Sequence, residues 1–250
     1  MSDTVIMPRP QAHPLAGQVM SGAQMIVQVV ADEGTSAIFG YSGGAILPTY
    51  DAVSLYNEAQ KLAGNALIPL IVPANEQGAG FMAAGYARSS GRVGVALVTS
   101  GPGATNTVTP IRDCMADSVP IVVICGQVPT AAIGSDAFQE APVASIMGAV
   151  AKHVFLVTDP VKLEATVRTA FEVARTGRPG PVVIDIPKDV QNWKGEFHGH
   201  GTLAIPGYRR RMDTCAVSAL AAEDAARCFE LLAEAKRPLI YAGGGVINGE

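Results

Sequence analysis

Three short glycine-rich stretches hold most of the residues that could do chemistry. Gly40-Tyr41-Ser42-Gly43-Gly44-Ala45 pairs glycines, which let a backbone come close to a ligand or adopt positive φ. Asn75-Glu76-Gln77-Gly78-Ala79-Gly80 puts a carboxylate directly after an amide side chain that can cap a helix. A helix dipole favours negative charge in that first turn, so spacing alone allows Glu76 either a chemical role or plain helix stabilisation. Ser100-Gly101-Pro102-Gly103-Ala104-Thr105-Asn106 follows an apolar run directly. A Gly-rich turn feeding a helix can hold a phosphate on its backbone N–H groups, but this one lacks the P-loop lysine and the full GxGxxG. Taken singly, each stretch also reads as a tight turn with packing glycines.

The elements that must position these turns follow from the apolar pattern. Short apolar runs occur at residues 37–39, 67–72, 93–99, 119–125, 153–157 and 182–186, with helix-like segments between most of them. VALVTS, VPIVVIC and PVVIDIP are apolar throughout, as strands covered by helices on both faces are. The reading is α/β: a doubly wound, mainly parallel sheet over roughly residues 18–190. In such sheets ligands gather at the carboxyl ends of strands, where the three turns fall. Ser21 and Gln24 have capping-box spacing, Ala23, Ile26, Val27 and Val30 share one helical face, and Gly34 is placed to end that helix. Asp159, Pro160 and Gly177 bracket a second helix over 159–176.

The pattern divides the chain into a tail over residues 1–17, the α/β domain over 18–193, a polar linker over 194–215 without periodicity, and a second α/β domain beginning in 216–250. Residues 218–235 predict an amphipathic helix and 238–242 a buried strand, with Gly243-Gly244-Gly245 as the turn after it. A helix and a strand do not enclose a core, so the second domain is expected to be incomplete within these 250 residues, and the isolated chain inactive.

Composition excludes several function classes. With 48% hydrophobic and 16% charged residues the sequence is core-rich rather than disordered. Its 18 basic and 22 acidic residues leave a net charge of −4, which offers no basic surface to nucleic acid. The one basic cluster, Arg209-Arg210-Arg211, reads as solvated linker. Cys114, Cys125, Cys215 and Cys228 form no CxxC pair, which argues against metal and disulfide roles. The N-terminus has no signal-peptide pattern, and no apolar run is long enough to span a bilayer. A soluble, cytoplasmic protein is the expectation.

The segments FGYSGGAILPTYDA, NEQGAGFMAAGYARSSG, VTSGPGATN, GQVPTAAIGSDAFQE and GRPGPVVIDIPKDV, in this order and spacing, closely resemble acetolactate (acetohydroxyacid) synthase catalytic subunits. The resemblance covers residues 18–190 and resumes weakly at 238–246. GPGATN and the Glu-Gln helix occur across thiamine-diphosphate decarboxylases and carboligases, whereas the last two segments are more particular to acetolactate synthases. The resemblance implies a thiamine-diphosphate pyrimidine-binding domain followed by the start of an FAD-binding-type domain. It implies carboligation of pyruvate with a second 2-oxoacid, in branched-chain amino acid biosynthesis. Glu76 matches the glutamate that shares a proton with the cofactor's aminopyrimidine ring, while the thiazolium serves as electron sink. Gln139, beside Phe138, matches a glutamine near the thiazolium and the acceptor; Lys188 matches a lysine at the mouth of the substrate channel. Gly43 and Gly44 match the turn that approaches the cofactor from the neighbouring subunit, and Gly103 belongs to its GPGATN turn. Arg178 matches an FAD contact, and Gly244 and Gly245 resemble the start of the FAD-binding domain. Mg²⁺ is implied as well, its ligands lying in a third domain that nothing in these residues resembles. A homodimer or higher homo-oligomer with a shared active site is implied, with a regulatory small subunit as a further partner.

The sequence also departs from the family pattern. Asn75 stands where the family has His, Ser42 where it has Pro, and about ten extra residues, including YNEAQKLAGN, lie between Val53 and Pro73. Two other readings remain open at this point: a different thiamine-diphosphate 2-oxoacid decarboxylase or carboligase, and a non-catalytic pyrimidine-domain protein.

Overall fold

The computed structural model describes residues 12–215 and 221–247. Of these, the residues up to Leu203 form one compact unit, and those from Ala204 a second. In chain order the first unit runs β1 (Val19–Ser21), α1 (Gly22–Asp32), β2 (Ile38–Tyr41), α2 (Leu47–Leu62), β3 (Leu70–Ile71), α3 (Glu76–Ser90), β4 (Gly94–Val98), α4 (Pro102–Thr105), α5 (Val108–Asp117), β5 (Ile121–Gln127), α6 (Val143–Gly148), β6 (His153–Leu156), α7 (Leu163–Arg175), β7 (Val182–Pro187), α8 (Lys188–Asn192) and β8 (Lys194–Glu196).

All six apolar runs become strands of one sheet, in the order β3-β2-β4-β5-β7-β6, and every neighbouring pair is parallel. The sheet is therefore the expected α/β architecture. Because side chains alternate along a strand, β4 sends Ala96 and Val98 to one face and Val95 and Leu97 to the other. On the first face they join Ala79, Ala83, Ala84 and Ala87 of α3, Ile111 and Cys114 of α5, and Val143 and Met147 of α6 in a buried cluster. The other face packs against α7, whose Leu163, Val167, Ala170 and Phe171 are fully buried, and α7 in turn packs on α1. Small residues on α3 let it lie close to the sheet: a Cβ at Gly94 would stand 2.1 Å from the Ala83 carbonyl oxygen.

Helix α1 opens with the expected capping box. Gln24 N–H donates to Ser21 Oγ at 3.2 Å, and Ser21 N–H to Gln24 Oε1 at 2.8 Å. Removing one such cap typically costs about 1 kcal/mol. Ser21→Ala should lower the unfolding free energy by that amount in a urea titration followed by circular dichroism, with the cooperativity unchanged; no loss of stability would show that the cap is idle. The helix expected over 159–176 starts with a 3₁₀ turn at Pro160–Lys162, capped by Asp159, before α7 begins. The segment YNEAQKLAGN forms the C-terminal half of α2 and the turn beyond it.

The tail and linker boundaries need correction. Residues 1–11 lie outside the described residues, but the tail's remainder is docked: His13 packs edge-on against Phe197 at 5.2 Å and lies 3.2 Å from Asp32. The linker expected from residue 194 instead begins with β8, antiparallel to β1 in a small second sheet. Phe197 is fully buried, and Arg168 stacks over its ring at 5.6 Å. A single aromatic anchor leaves no periodic signature, so a segment held by one residue reads as linker.

In the second unit, described by itself, α9 (Tyr208–Cys215) takes up the arginine cluster, α10 (Ala222–Glu234) covers most of the expected amphipathic helix, and α11 (Gly244–Ile247) follows. Residues 216–220 lie outside the described residues. The strand expected at 238–242 does not form: Leu239, Ile240 and Tyr241 are 91%, 81% and 98% exposed. A strand needs a neighbour for its backbone groups, and no described strand pairs with this segment. Gly244 and Gly245, expected in a turn, open α11.

Candidate active site

The carboxyl ends of β2, β4, β5 and β7 lie along one edge of the sheet, with the start of α3 beside them, and most of the residues singled out in the sequence fall there. Asn75 takes extended backbone angles as the N-cap of α3, and its Oδ1 accepts from Gly78 N–H at 2.8 Å. The departure from His thus leaves a working cap. It fixes Glu76 as the first residue of α3, where its side chain is buried, 8% exposed.

Asn106, at the end of α4, donates from Nδ2 to Glu76 Oε2 at 2.9 Å. Among the described residues none donates to Oε1. That free oxygen faces the Gly-rich turn after β4, where a Cβ at Gly103 would stand 3.4 Å from it and 2.6 Å from Thr99 Cγ2. A Cβ at Gly43 would collide with Thr99 as well, at 2.5 Å. Glu76 Oε1 therefore lies unpartnered beside the backbone of Gly103, where the close approach of Thr99 leaves no space for a side chain. A protonated ring nitrogen would suit that oxygen, since a carboxylate oxygen without a partner gains from a donor.

Tyr50 from α2 completes the surroundings. Its hydroxyl donates to the Leu97 carbonyl at 3.3 Å. Burial, and secondarily the charge on Glu76, push it well above the usual tyrosine range, so it stays protonated. The turn after β2 spans the sheet edge: Gln191 of α8 donates to the Ala45 carbonyl at 2.8 Å, and a Cβ at Gly126 would meet Ala45 and Ile46. Gly44, by contrast, has open space where a Cβ would go, so no contact among the described residues requires a glycine there. The turn after β4 does not present a free phosphate cradle. Gly103 N–H donates to Ser100 O and Thr105 N–H to Gly101 O, and α4 is a single turn.

Gln139 is seated against the other side of that turn, since a Cβ at Gly101 would stand 2.3 Å from the Gln139 carbonyl oxygen. Phe138 beside it is 88% exposed. Lys188 begins α8, next to Asp189, whose carboxylate accepts from the Thr130 amide at 3.0 Å and from its hydroxyl. Burial opposes ionisation of Asp189, but the two Thr130 bonds, together with the amides of Asp189 and Val190, outweigh it and hold the carboxyl below its usual range. Lys188 shares the carboxyl edge with Glu76 and Gln139 without a hydrogen bond to either. Arg178 is far from free: Nε donates to Ser118 Oγ at 2.8 Å, and Nη2 to the Met115 and Ala116 carbonyls at the end of α5. Among the described residues its Nη1 has no partner. Gly244 and Gly245 belong to the second unit, and nothing relates them to this edge.

Residues 20–147, about half of the chain, match the sequence profile of the thiamine pyrophosphate enzyme N-terminal TPP binding domain. The chain belongs to the thiamine pyrophosphate enzyme family. The matched span holds Glu76, Thr99, Gly103, Asn106 and Gln139, which are the carboxylate and the residues beside it or seated against its turn. Curated relatives of this family extend the likeness over nearly the whole chain. The acetolactate synthase large subunit of Corynebacterium glutamicum is 45% identical over 235 residues, 94% of this chain and 35% of that protein. The acetolactate synthase catalytic subunit, mitochondrial, of Saccharomyces cerevisiae is 41% identical over 231 residues, 92% of this chain and 32% of that protein. The probable acetolactate synthase large subunit of Methanocaldococcus jannaschii is 44% identical over 231 residues, 91% of this chain and 36% of that protein. The chain spans about a third of the length of these relatives.

Sequence reading missed several working residues of this thiamine pyrophosphate enzyme domain. Asn106 was in plain view, three positions after Gly103, yet nothing local marks it as the partner of a carboxylate 30 residues earlier. Tyr50 and Thr99 carry no motif at all. Asp185, one acid inside the apolar run PVVIDIP, was a signal that could have been read.

Proposed function

We propose that this chain supplies the pyrimidine-binding half of an acetolactate-forming site, joining pyruvate to a second 2-oxoacid. The observation that carries the reading is the buried Glu76 carboxylate, one oxygen tied to Asn106 and the other open beside Gly103. When bound, thiamine diphosphate supplies a carbon nucleophile and an electron sink. The chain's own contribution is narrower. Glu76 Oε1 accepts or shares the proton of a ring nitrogen, Asn106 fixes the plane of the carboxylate, and Thr99 packs between the two glycine turns beside it. Phe138, Gln139 and Lys188 would meet the 2-oxoacids along the same edge.

Mg²⁺ and FAD enter as parts of this proposal. No group of three His, Cys, Asp or Glu side chains that could hold a metal is gathered among the described residues, so no residue of this chain is assigned to Mg²⁺. For FAD, Arg178 keeps one nitrogen, Nη1, available to a ligand, and Gly244 and Gly245 begin the segment that resembles a flavin domain. A homo-oligomer sharing the site, a regulatory small subunit and a cytoplasmic location complete the reading.

The test is product formation from pyruvate by the gene product that carries these residues, with thiamine diphosphate, Mg²⁺ and FAD supplied. A colorimetric acetoin assay after acid decarboxylation should give a signal that disappears when thiamine diphosphate is omitted. The purified protein should be yellow, and Arg178→Ala should lose flavin absorbance before thiamine-diphosphate binding. A colourless, fully active protein indifferent to added FAD would remove the flavin from the proposal; decarboxylation of pyruvate without carboligation would favour another branch of the family.

A further inference from the structure

The loop between β5 and α6 carries an almost fully exposed aromatic, Phe138, yet it is closed by contacts of its own. Glu140 turns its carboxylate back into the loop: Oε1 accepts from Gly134 N–H at 2.5 Å and Oε2 from Ala137 N–H at 2.9 Å. Its own N–H donates to the Ala137 carbonyl at 2.9 Å, which tightens the turn around Phe138. Asp136 and Gln139 both sit at φ +59°, a left-handed conformation uncommon for residues other than glycine. Such backbone persists when its surroundings over-determine it. Here the surroundings are the Glu140 carboxylate on one side and the Cβ-free face of Gly101 on the other, where the Gln139 carbonyl is seated. The far end is fastened from below, since Gln127 Nε2 donates to the Ala141 carbonyl at 3.2 Å.

We propose that Glu140 is a positioning residue: its carboxylate clamps residues 134–140 into the one shape that presents Phe138 and Gln139 above the turn beside Glu76. The inference rests on the acetolactate-forming reading for what Phe138 and Gln139 then meet, namely the acceptor 2-oxoacid. A carboxylate suits the task because it is acceptor-only and offers two oxygens to two amides, which a glutamine cannot do with equal geometry. The amides of Gly134 and then Ala137 hold the Glu140 carboxyl below the usual glutamate range, so the clamp stays ionised through neutral pH and releases only as pH falls through that lowered value.

Two measurements test it. In the ¹⁵N-labelled gene product that carries these residues, the Gly134 and Ala137 amide resonances should titrate together, with one midpoint below the ordinary glutamate value, and Glu140→Gln should abolish that titration without shifting amides of β4 and β5. Independent midpoints, or no response to Glu140→Gln, would overturn the clamp. In the gene product that carries these residues, Glu140→Gln should raise KM for the acceptor 2-oxoacid about tenfold and leave kcat within about twofold, with Glu140→Ala larger in the same direction. An unchanged acceptor KM alongside the lost amide titration would overturn the positioning role while leaving the acetolactate-forming reading intact. A wild type that forms no product would overturn that reading, and the role of the clamp in it, whatever the amides do.

Discussion

Replacing Glu76 by Gln in the gene product that carries these residues should lower product formation by about 10²–10⁴-fold with the fold unchanged, the range expected when a positioned proton-transfer group is lost. The substitution is nearly isosteric, and the amide oxygen can still accept from Asn106. What changes is the side facing Gly103, where an acceptor becomes an NH₂ donor toward the protonated ring nitrogen that the proposed function places there. Two donors would then confront each other, and neither could accept the other's proton. Circular dichroism and the melting temperature should match wild type, because the Asn75 cap of α3 does not involve the Glu76 side chain. Activity within a few-fold of wild type would mean that Glu76 only decorates a helix start, the reading its first-turn position also permits.

How much of this was legible in the sequence depends on the range of the interaction. The sheet was legible because each strand declares itself locally as an apolar run, and the capping signals at Ser21, Asn75 and Asp159 act within three residues. The Glu76 turn was legible as a turn, and the resemblance supplied its chemistry. Contacts between distant segments carried no local mark: Asn106 on Glu76, Thr130 on Asp189, Gln191 on Ala45. Segments 12–17 and 194–203 misread as tail and linker for the same reason, since their order comes from one buried ring, Phe197, and from pairing between strands 175 residues apart. At 238–242 the apolar pattern was real, but a strand is a property of two segments rather than one.

Asp185→Asn should make the chain more stable at pH 8 than wild type and equally stable near pH 4. Asp185 lies on β7, 1% exposed, opposite Cys125 of β5 in the parallel ladder. Its Oδ2 accepts from Gln127 Nε2 at 3.0 Å, while Oδ1 has no partner among the described residues. Burial pushes its carboxyl from 3.8 to about 7, against the Gln127 hydrogen bond, which pulls the other way. The folded chain thus binds this proton more tightly than the unfolded chain. Below about pH 4 both states hold it and Asp185 costs nothing by ionising. As pH rises from about 4 to about 7 only the unfolded state releases it readily, so stability falls, and above about 7 the loss is complete. A gap of about three between the two values corresponds to roughly 4 kcal/mol, an upper figure for a side chain that local rearrangement can wet. The Cys125 thiol, pushed up by its own burial and by Asp185, stays neutral across this window and adds no second titration. Asn keeps the acceptor for Gln127 and replaces the orphaned Oδ1 with an equally orphaned NH₂, so near pH 4 the two chains should unfold alike. Urea titrations of both proteins at pH 4.5, 6 and 8 give the difference curve, in which the lowered carboxyls of Asp189 and Glu140 cancel. A flat difference, or a variant destabilised equally at every pH, would show that Asp185 is ionised and solvated in the fold.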